Sequence, residues 1–334
     1  MENELLFEMQ NAFPMTQRPF EEVADKLEIS EEEVLAMIQK LKEQKIIRQT
    51  SAIFDTKRLG YTSSLVAFKV AKDKVDQAAE IINQHPGVSH NYLRNHDYNI
   101  WFTMAVAPDS KMGLEKTIET LKKLTHAEDA ITLPTLKLFK IKVQMDTTGK
   151  RAKKEKVKKV LHKELELTKE HIAVIKELQK DITVTEEPFK EAIERLDISY
   201  EKFFEIANEL KDAGVMRRFA TILNHRKAGF GANAMSVWAV PEEKGEEIGR
   251  QMAEFSAVSH CYLRPSYPNW PYNLFAMIHG KSQEECDTLI EEMAKESGLT
   301  EYGKLYSTRE FKKQRLVYFD DTFKEWEAQV AGSR

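Results

Sequence analysis

The chain has 334 residues, 42% hydrophobic and 31% charged, and its 50 Lys and Arg against 54 Asp and Glu leave a formal net charge of −4 and a pI near 6.2. That length suits two domains of roughly 150 residues each, and the composition excludes a disordered, collagenous or membrane-embedded chain. With no overall positive charge, any affinity for nucleic acid must come from a local patch.

The N-terminal stretch MENELLFEMQ mixes acidic with apolar residues and lacks the basic and apolar regions of an export signal. No run approaches the roughly 18 apolar residues of a membrane span, so a cytoplasmic protein without a membrane partner is expected. Cys261 and Cys286 lack CxxC or Cys/His ligand spacing. They read as buried free thiols rather than as a disulfide or a zinc site.

From the start of the chain, Leu5, Leu6, Met9 and Phe13 fall at helical spacing, and Phe20, Val23, Ala24 and Leu27 form a second apolar stripe. Ser30, with Glu33 placed for a capping box, opens a third helix carrying Val34, Met37, Ile38 and Leu41. Ile46-Ile47-Arg48 and Ser51-Ala52-Ile53-Phe54 then read as a small β-hairpin wing. After Gly60 the predicted order is strand (62–70), helix (74–83), strand (88–93), strand (99–106), helix (111–124) and a final strand (133–145), a ferredoxin-like βαββαβ pattern.

The whole pattern then recurs with an offset of about 170 residues. Pro19-Phe20 matches Pro188-Phe189, Arg48 matches Arg217, Gly60-Tyr61 matches Gly229-Phe230, and Tyr92-Leu93-Arg94 matches Tyr262-Leu263-Arg264. Val215-Met216-Arg217 and Thr221-Ile222-Leu223 give the second wing, and strands are expected near 234–240, 260–263, 274–278 and 305–318. The expected domains are winged helix-turn-helix modules at 1–60 and 170–230 and ferredoxin-like modules at 61–146 and 231–320. Between the copies, 147–169 reads as a basic linker, a solvated spacer or a weak anion-binding tail.

This α+β tandem resembles the Lrp/AsnC family of transcriptional regulators across nearly all of each copy. Reading bases and phosphates, however, requires Lys, Arg, Asn or Gln on the recognition helix, whereas the first copy presents Ser30-Glu31-Glu32-Glu33 and the second Ser199-Tyr200-Glu201-Lys202. DNA binding is therefore not expected. The acidic residues suit helix N-termini, and the modules suit packing or dimerisation.

The chemistry gathers on one strand of each copy. His90, Tyr92 and Arg94 alternate along one strand, as do His260, Tyr262 and Arg264, so each trio points to a single face. An imidazole, a phenol and a guanidinium repeated twice suit an anionic ligand that must be both held and protonated.

At these residues the chain resembles the siroheme decarboxylases, Lrp/AsnC-like enzymes built from two related subunits. The first copy carries the H-N-Y-x-R-x-H-x-Y-N-x-W-F motif of one subunit type from His90 to Phe102. The second carries H-x-Y-x-R-P from His260, then P-x-W-P-Y-N-L-F from Pro268 and M-I-H-G from Met277, like the other type. A natural fusion of the two is implied, with the two ferredoxin-like modules paired as an internal pseudo-dimer; further homodimerisation is left open.

The resemblance implies conversion of siroheme to 12,18-didecarboxysiroheme with loss of two CO2, without a cofactor beyond the iron of the substrate and without a metal site of the protein's own. His90, His260, Arg94, Arg264, Tyr92 and Tyr262 are the catalytic candidates. Arg48, Arg217 and Arg218 are candidate carboxylate partners, Trp101, Trp270 and Tyr272 candidate aromatic walls, and His96, His225 and His279 further proton donors or axial ligands of the substrate iron. Because the first copy lacks the Trp-Pro loop, one principal pocket using the second copy's loop is expected. A ligand-responsive regulator of Lrp type and a tetrapyrrole carrier are the alternatives.

Overall fold

A computed structural model describes residues 1–11, 13–141, 164–224 and 232–332. The first copy comprises α1 (Glu2–Asn11), α2 (Pro19–Leu27), α3 (Glu31–Glu43), β1 (Ile47–Phe54), β2 (Thr62–Lys69), α4 (Val75–Asn83), β3 (Val88–Arg94), β4 (Ile100–Val106), α5 (Gly113–Leu124), β5 (Asp129–Leu133) and β6 (Lys137–Ile141). The second comprises α6 (Lys169–Leu178), α7 (Lys190–Leu196), α8 (Tyr200–Asp212), β7 (Met216–Leu223), β8 (Ala232–Trp238), α9 (Gly245–Glu254), β9 (Val258–Leu263), β10 (Leu274–Gly280), α10 (Gln283–Ser297) and β11 (Tyr302–Lys313). A closing helix, α11 (Thr322–Gly332), has no counterpart in the sequence reading. Most of the expected basic linker and all of 225–231 lie outside the described residues.

The chain divides into two compact units, each drawing on both copies: α1–β1 with α6–β7, and β2–β6 with β8–α11. In the first unit, α3 starts with a complete capping box: the Ser30 hydroxyl accepts from Glu33 N–H at 3.2 Å, and the Glu33 carboxylate accepts from Ser30 N–H at 2.9 Å. Glu31, beside it, is ion-paired with Arg18. The equivalent Ser199 accepts from Lys202 N–H at 3.1 Å at the start of α8.

The wings correct the sequence reading. Neither copy forms a hairpin: β1 and β7 are single unbroken strands that pair antiparallel with each other, Thr50 opposite Thr221. A two-residue hairpin needs positive φ at its turn. No residue of either strand adopts it, and Gln49-Thr50 runs straight on. Each strand therefore satisfies its edge with the other copy's strand.

The second unit is a nine-stranded antiparallel sheet in the order β5-β2-β4-β3-β11-β8-β10-β9-β6. Each copy contributes the expected βαββ core, but its last strand serves both copies. β11 pairs with its own β8 through Tyr302–Tyr306 and then with the first copy's β3 through Ser307–Lys313. The predicted strand 133–145 is shared likewise, but as two strands: β5 pairs with β2 and, past Pro134, β6 pairs with β9 of the second copy. Proline has no N–H to give a ladder, so the crossover falls there.

A buried lysine, Lys140, and a half-buried one, Lys312, fasten the two exchanged strands. Lys140 donates to the Phe255 carbonyl at 2.9 Å, just past α9, and Lys312 to the Asn83 carbonyl at 2.8 Å, at the end of α4. An ammonium at a helix C-terminus meets the negative end of the helix dipole and carbonyls that lack helical partners.

The helices of each half cover one face of the sheet, over cores such as Phe68, Phe102 and Ile82 in the first copy and Trp238, Met252 and Ile290 in the second. A third apolar cluster draws on both copies, with Ala67, Trp101, Leu133, Val237, Trp270, Phe275 and Leu305. Along β4 and β10 its members alternate with the helix-covered residues. It therefore lies on the opposite side of those strands. Among the described residues no helix is long and apolar enough to cross a membrane.

Candidate active site

On β3, Asn91 and Leu93 turn toward the helices: the Asn91 amide donates to Asn83 Oδ1 at 3.0 Å, and Leu93 joins the core beneath α4 and α5. Alternation sends His90, Tyr92 and Arg94 to the other face. On β9, Cys261 and Leu263 face the second copy's helices, which leaves His260, Tyr262 and Arg264 on that same other face. The two trios share a geometry. His90 and Tyr92 stack with ring centroids 6.2 Å apart, and His260 and Tyr262 at 6.1 Å. The guanidinium carbons of Arg94 and Arg264 lie 5.5 and 4.5 Å from the centroids of Tyr92 and Tyr262.

Both arginines are buried, at 6% and 8% exposure, whereas the histidines and tyrosines are half-buried. Arg94 Nη1 donates to the Leu305 carbonyl at 2.9 Å, and Arg264 Nη1 to the Leu133 carbonyl at 2.5 Å and Thr135 Oγ1 at 3.3 Å. Each guanidinium thus reaches a crossover strand of the other copy. Burial pulls both pKa values down to about 10, so both remain charged near neutrality. Their Nε atoms are buried without a hydrogen-bond partner among the described residues.

A serine precedes each histidine and fixes its ring. Ser89 Oγ lies 2.9 Å from His90 Nδ1 and 2.6 Å from Thr103 Oγ1. Ser259 Oγ lies 2.8 Å from His260 Nδ1 and 2.8 Å from His279 Nε2. Burial first, and then the charge of Lys313, pushes His279 down to about 4. Across the ladder, Lys313 is the register partner of His90, whereas His260 faces Ile141.

The second copy's Trp-Pro loop inserts against the first copy. Trp270 packs 5.1 Å from His96, 5.1 Å from Trp101 and 5.1 Å from Tyr272. Trp101 Nε1 donates to the Tyr98 carbonyl at 2.6 Å, and Tyr98 OH to Asp129 at 2.6 Å, with Asn269 of the loop donating to both oxygens. The Tyr98 bond holds Asp129 below its ordinary carboxyl range. His96 accepts from Tyr98 N–H at 3.1 Å, and burial lowers its pKa. Trp101 and Trp270 are 1% and 0% exposed, so they form the packed floor of this region rather than open walls.

The remaining candidates sit elsewhere or in other roles. Arg48, Arg217 and Arg218 belong to the paired strands of the first unit: Arg48 is exposed, Arg217 is ion-paired with Asp55 at 2.6 Å, and burial lowers the pKa of Arg218. His225 lies outside the described residues. Among the described residues no three His, Cys, Asp or Glu side chains stand together as a metal site. Sequence reasoning passed over Ser89, Thr103, Ser259, Tyr98, Asp129 and Lys313. For the two serines a signal existed, since Ser-His occurs at the same point of both copies.

Two family models match the chain in duplicate: an AsnC-like ligand binding domain over 58–140 and 227–312, and a siroheme decarboxylase NirDL-like HTH domain over 2–48 and 171–217. A siroheme decarboxylase of Hydrogenobacter thermophilus is 42% identical over 318 residues, 95% of each chain. The siroheme decarboxylase beta subunit of Methanosarcina barkeri is 42% identical over 147 residues, 44% of this chain and 97% of the subunit. The crystal structure of the siroheme decarboxylase NirDL in co-complex with an iron-uroporphyrin III analogue superposes with a TM-score of 0.78 at 37% identity, over 100% of this chain and 99% of that one.

Proposed function

The chain belongs to the siroheme decarboxylase family, and from that premise we propose that it is a carboxy-lyase that converts siroheme to 12,18-didecarboxysiroheme, turning two acetate side chains into methyl groups. The observation that carries the reading is the duplicated His–Tyr–Arg strand on the helix-free face, in a chain that matches a siroheme decarboxylase over nearly its full length.

Each turnover breaks one C–C bond. CO2 leaves, the electron pair stays on the acetate methylene carbon, and a proton completes the methyl. Half-buried His90 and His260 are the proton donors of this reading, since an imidazole titrates near neutrality and a positioned general acid supplies about 10²- to 10⁴-fold. Stacked Tyr92 and Tyr262 offer flat faces and hydroxyls to the macrocycle. Arg94 and Arg264, held behind them, supply fixed positive charge toward a substrate bearing eight carboxylates.

The iron is part of the substrate, and no further cofactor is proposed. Strand exchange between the copies supports the internal pseudo-dimer. We place the enzyme in the cytoplasm, with siroheme and its decarboxylated products as its partners. The capping role of Glu33 and the pairing of Glu31 with Arg18 disfavour a DNA-reading regulator.

The test is anaerobic incubation of the purified protein with siroheme and mass analysis of the extracted tetrapyrrole. A mass loss of two CO2 is expected. Siroheme that binds and returns with all its carboxylates would favour a carrier or sensor, and absence of binding would overturn the assignment.

A further inference from the structure

The two histidines meet different surroundings. In the first copy, His90 Nδ1 reaches Ser89, whose hydroxyl is shared with Thr103 at 2.6 Å. Two hydroxyls in series can each donate or accept, so this chain runs in either direction. In the second copy, the Ser259 hydroxyl stands between two imidazole nitrogens, His260 Nδ1 and His279 Nε2, each 2.8 Å away. A hydroxyl has one proton, so it donates to one ring and accepts from the other. The Met277 carbonyl, a further acceptor for Ser259, is farther off at 3.4 Å.

The direction follows from the donor role read for His260: an imidazolium carries a proton on each nitrogen, so its Nδ1–H donates to Ser259 Oγ, and the one proton of that hydroxyl is left for His279 Nε2. His279 sits near the end of β10, with Ser259 reaching it from β9 and the Lys313 ammonium acting on it from β11. Both burial and that cation oppose a second proton on the ring. In that arrangement His279 is neutral and accepts the Ser259 proton on its Nε2 lone pair. Ser259 Oγ is then left as the acceptor for a proton on His260 Nδ1.

We propose that His279, acting through Ser259, is a positioning residue that fixes the Nδ1–H tautomer of His260 and so makes Nε2 the nitrogen that passes a proton to the substrate carbon. The inference rests on the decarboxylase reading above. In the step itself the C–C bond to the carboxylate breaks and CO2 departs. The retained electron pair takes the Nε2 proton of the His260 imidazolium. The ring returns to the neutral Nδ1–H form that Ser259 and His279 hold, and solvent restores the Nε2 proton. The first copy has a threonine in the place of this directed acceptor, so the two histidines are unequal donors.

The experiment uses the full chain with ¹⁵N-labelled histidine and reads ring tautomers by long-range ¹H–¹⁵N correlation at about pH 8, where an imidazole with an ordinary pKa is neutral. The His260 signals are assigned by their loss in His260→Asn. Wild type and Ser259→Thr, which keeps the hydroxyl, are expected to show His260 as Nδ1–H. Ser259→Ala and His279→Ala are expected to lose that preference, and their kcat with siroheme to fall at least about 10-fold at little-changed KM, within the range that general acid catalysis supplies.

An Nε2–H tautomer in the wild type, or an Nδ1–H preference that survives both alanine variants, would overturn the proposal. The tautomer readout needs no siroheme. A wild-type chain that shows the coupling without turning siroheme over would therefore refute the substrate reading, and with it the catalytic half of the inference, separately from the positioning half.

Discussion

Arg264 donates through Nη1 to the carbonyl of Leu133, 131 residues upstream, and Arg94 makes the pseudo-equivalent bond to Leu305, 211 residues downstream. Each arginine of the repeated motif thus clasps the other copy at the point where a strand changes partners. Arg94→Met and Arg264→Met would leave buried carbonyls without these donors and are expected to cost about 1.5–3 kcal/mol each, the usual worth of a hydrogen bond to a charged group. Urea denaturation followed by tryptophan fluorescence reads this. Unchanged midpoints would mean that the guanidinium groups hold nothing together.

The histidines themselves are expected to behave differently. His90→Ala and His260→Ala should leave the unfolding midpoint within roughly 1 kcal/mol of wild type, because both side chains are half-buried and at surface-like sites such losses are small. Turnover of siroheme should fall by about 10²- to 10⁴-fold where the missing imidazole was the general acid. If both single variants kept full turnover, neither ring would be the donor.

Stability should fall on acidification in a window set by His85. This ring is 2% exposed, accepts Gly87 N–H at 2.9 Å and packs 4.3 Å from Trp326, and burial pulls its pKa down to about 3. The unfolded chain, with an ordinary value near 6.5, binds the extra proton first. Stability is then fully present above about pH 6.5 and is lost as pH falls toward 3. Chemical denaturation at several pH values should show the slope, and His85→Gln should flatten it.

In the first unit, the hydroxyls of Thr50 and Thr221 face each other at 2.8 Å in the middle of the two-stranded sheet, both buried. Thr50→Val or Thr221→Val strands the remaining hydroxyl and is expected to cost about 1–3 kcal/mol. The double variant removes both polar groups and should cost less than the sum, a coupling of at least about 0.5 kcal/mol. Strict additivity in the cycle would show that the pair does not interact.

Local information carried most of the elements. Helical periodicity, the Ser30 cap and the period-two runs after Gly60 lie within short windows, and the duplication doubled every such signal. What escaped was partnership. Nothing in Gln49-Thr50 says that the strand will run on to meet Thr221, and nothing in Ser307–Lys313 names β3 as its mate, because such pairings join positions far apart in the chain.

For the site, alternation placed His90, Tyr92 and Arg94 on one face, but burial and cross-copy contacts decide what each does there. Arg94 and Arg264 look alike in sequence to arginines that reach for substrate, yet both end under the surface, bonded to backbone. The repeated Ser-His pair marks Ser259, but its role is decided only when the fold brings His279, 20 residues on, to its other side.

The shared strands also order events during synthesis. The ribosome delivers β3 long before Ser307–Lys313 exists, so one edge of the first copy's sheet, with its row of unpaired amides and carbonyls, stays bare until the second copy's last strand has emerged. The first half cannot finish folding as it is made. In the meantime it is a template that a neighbouring nascent chain can capture, and any chaperone that guards this protein has its work set out at that one uncovered edge.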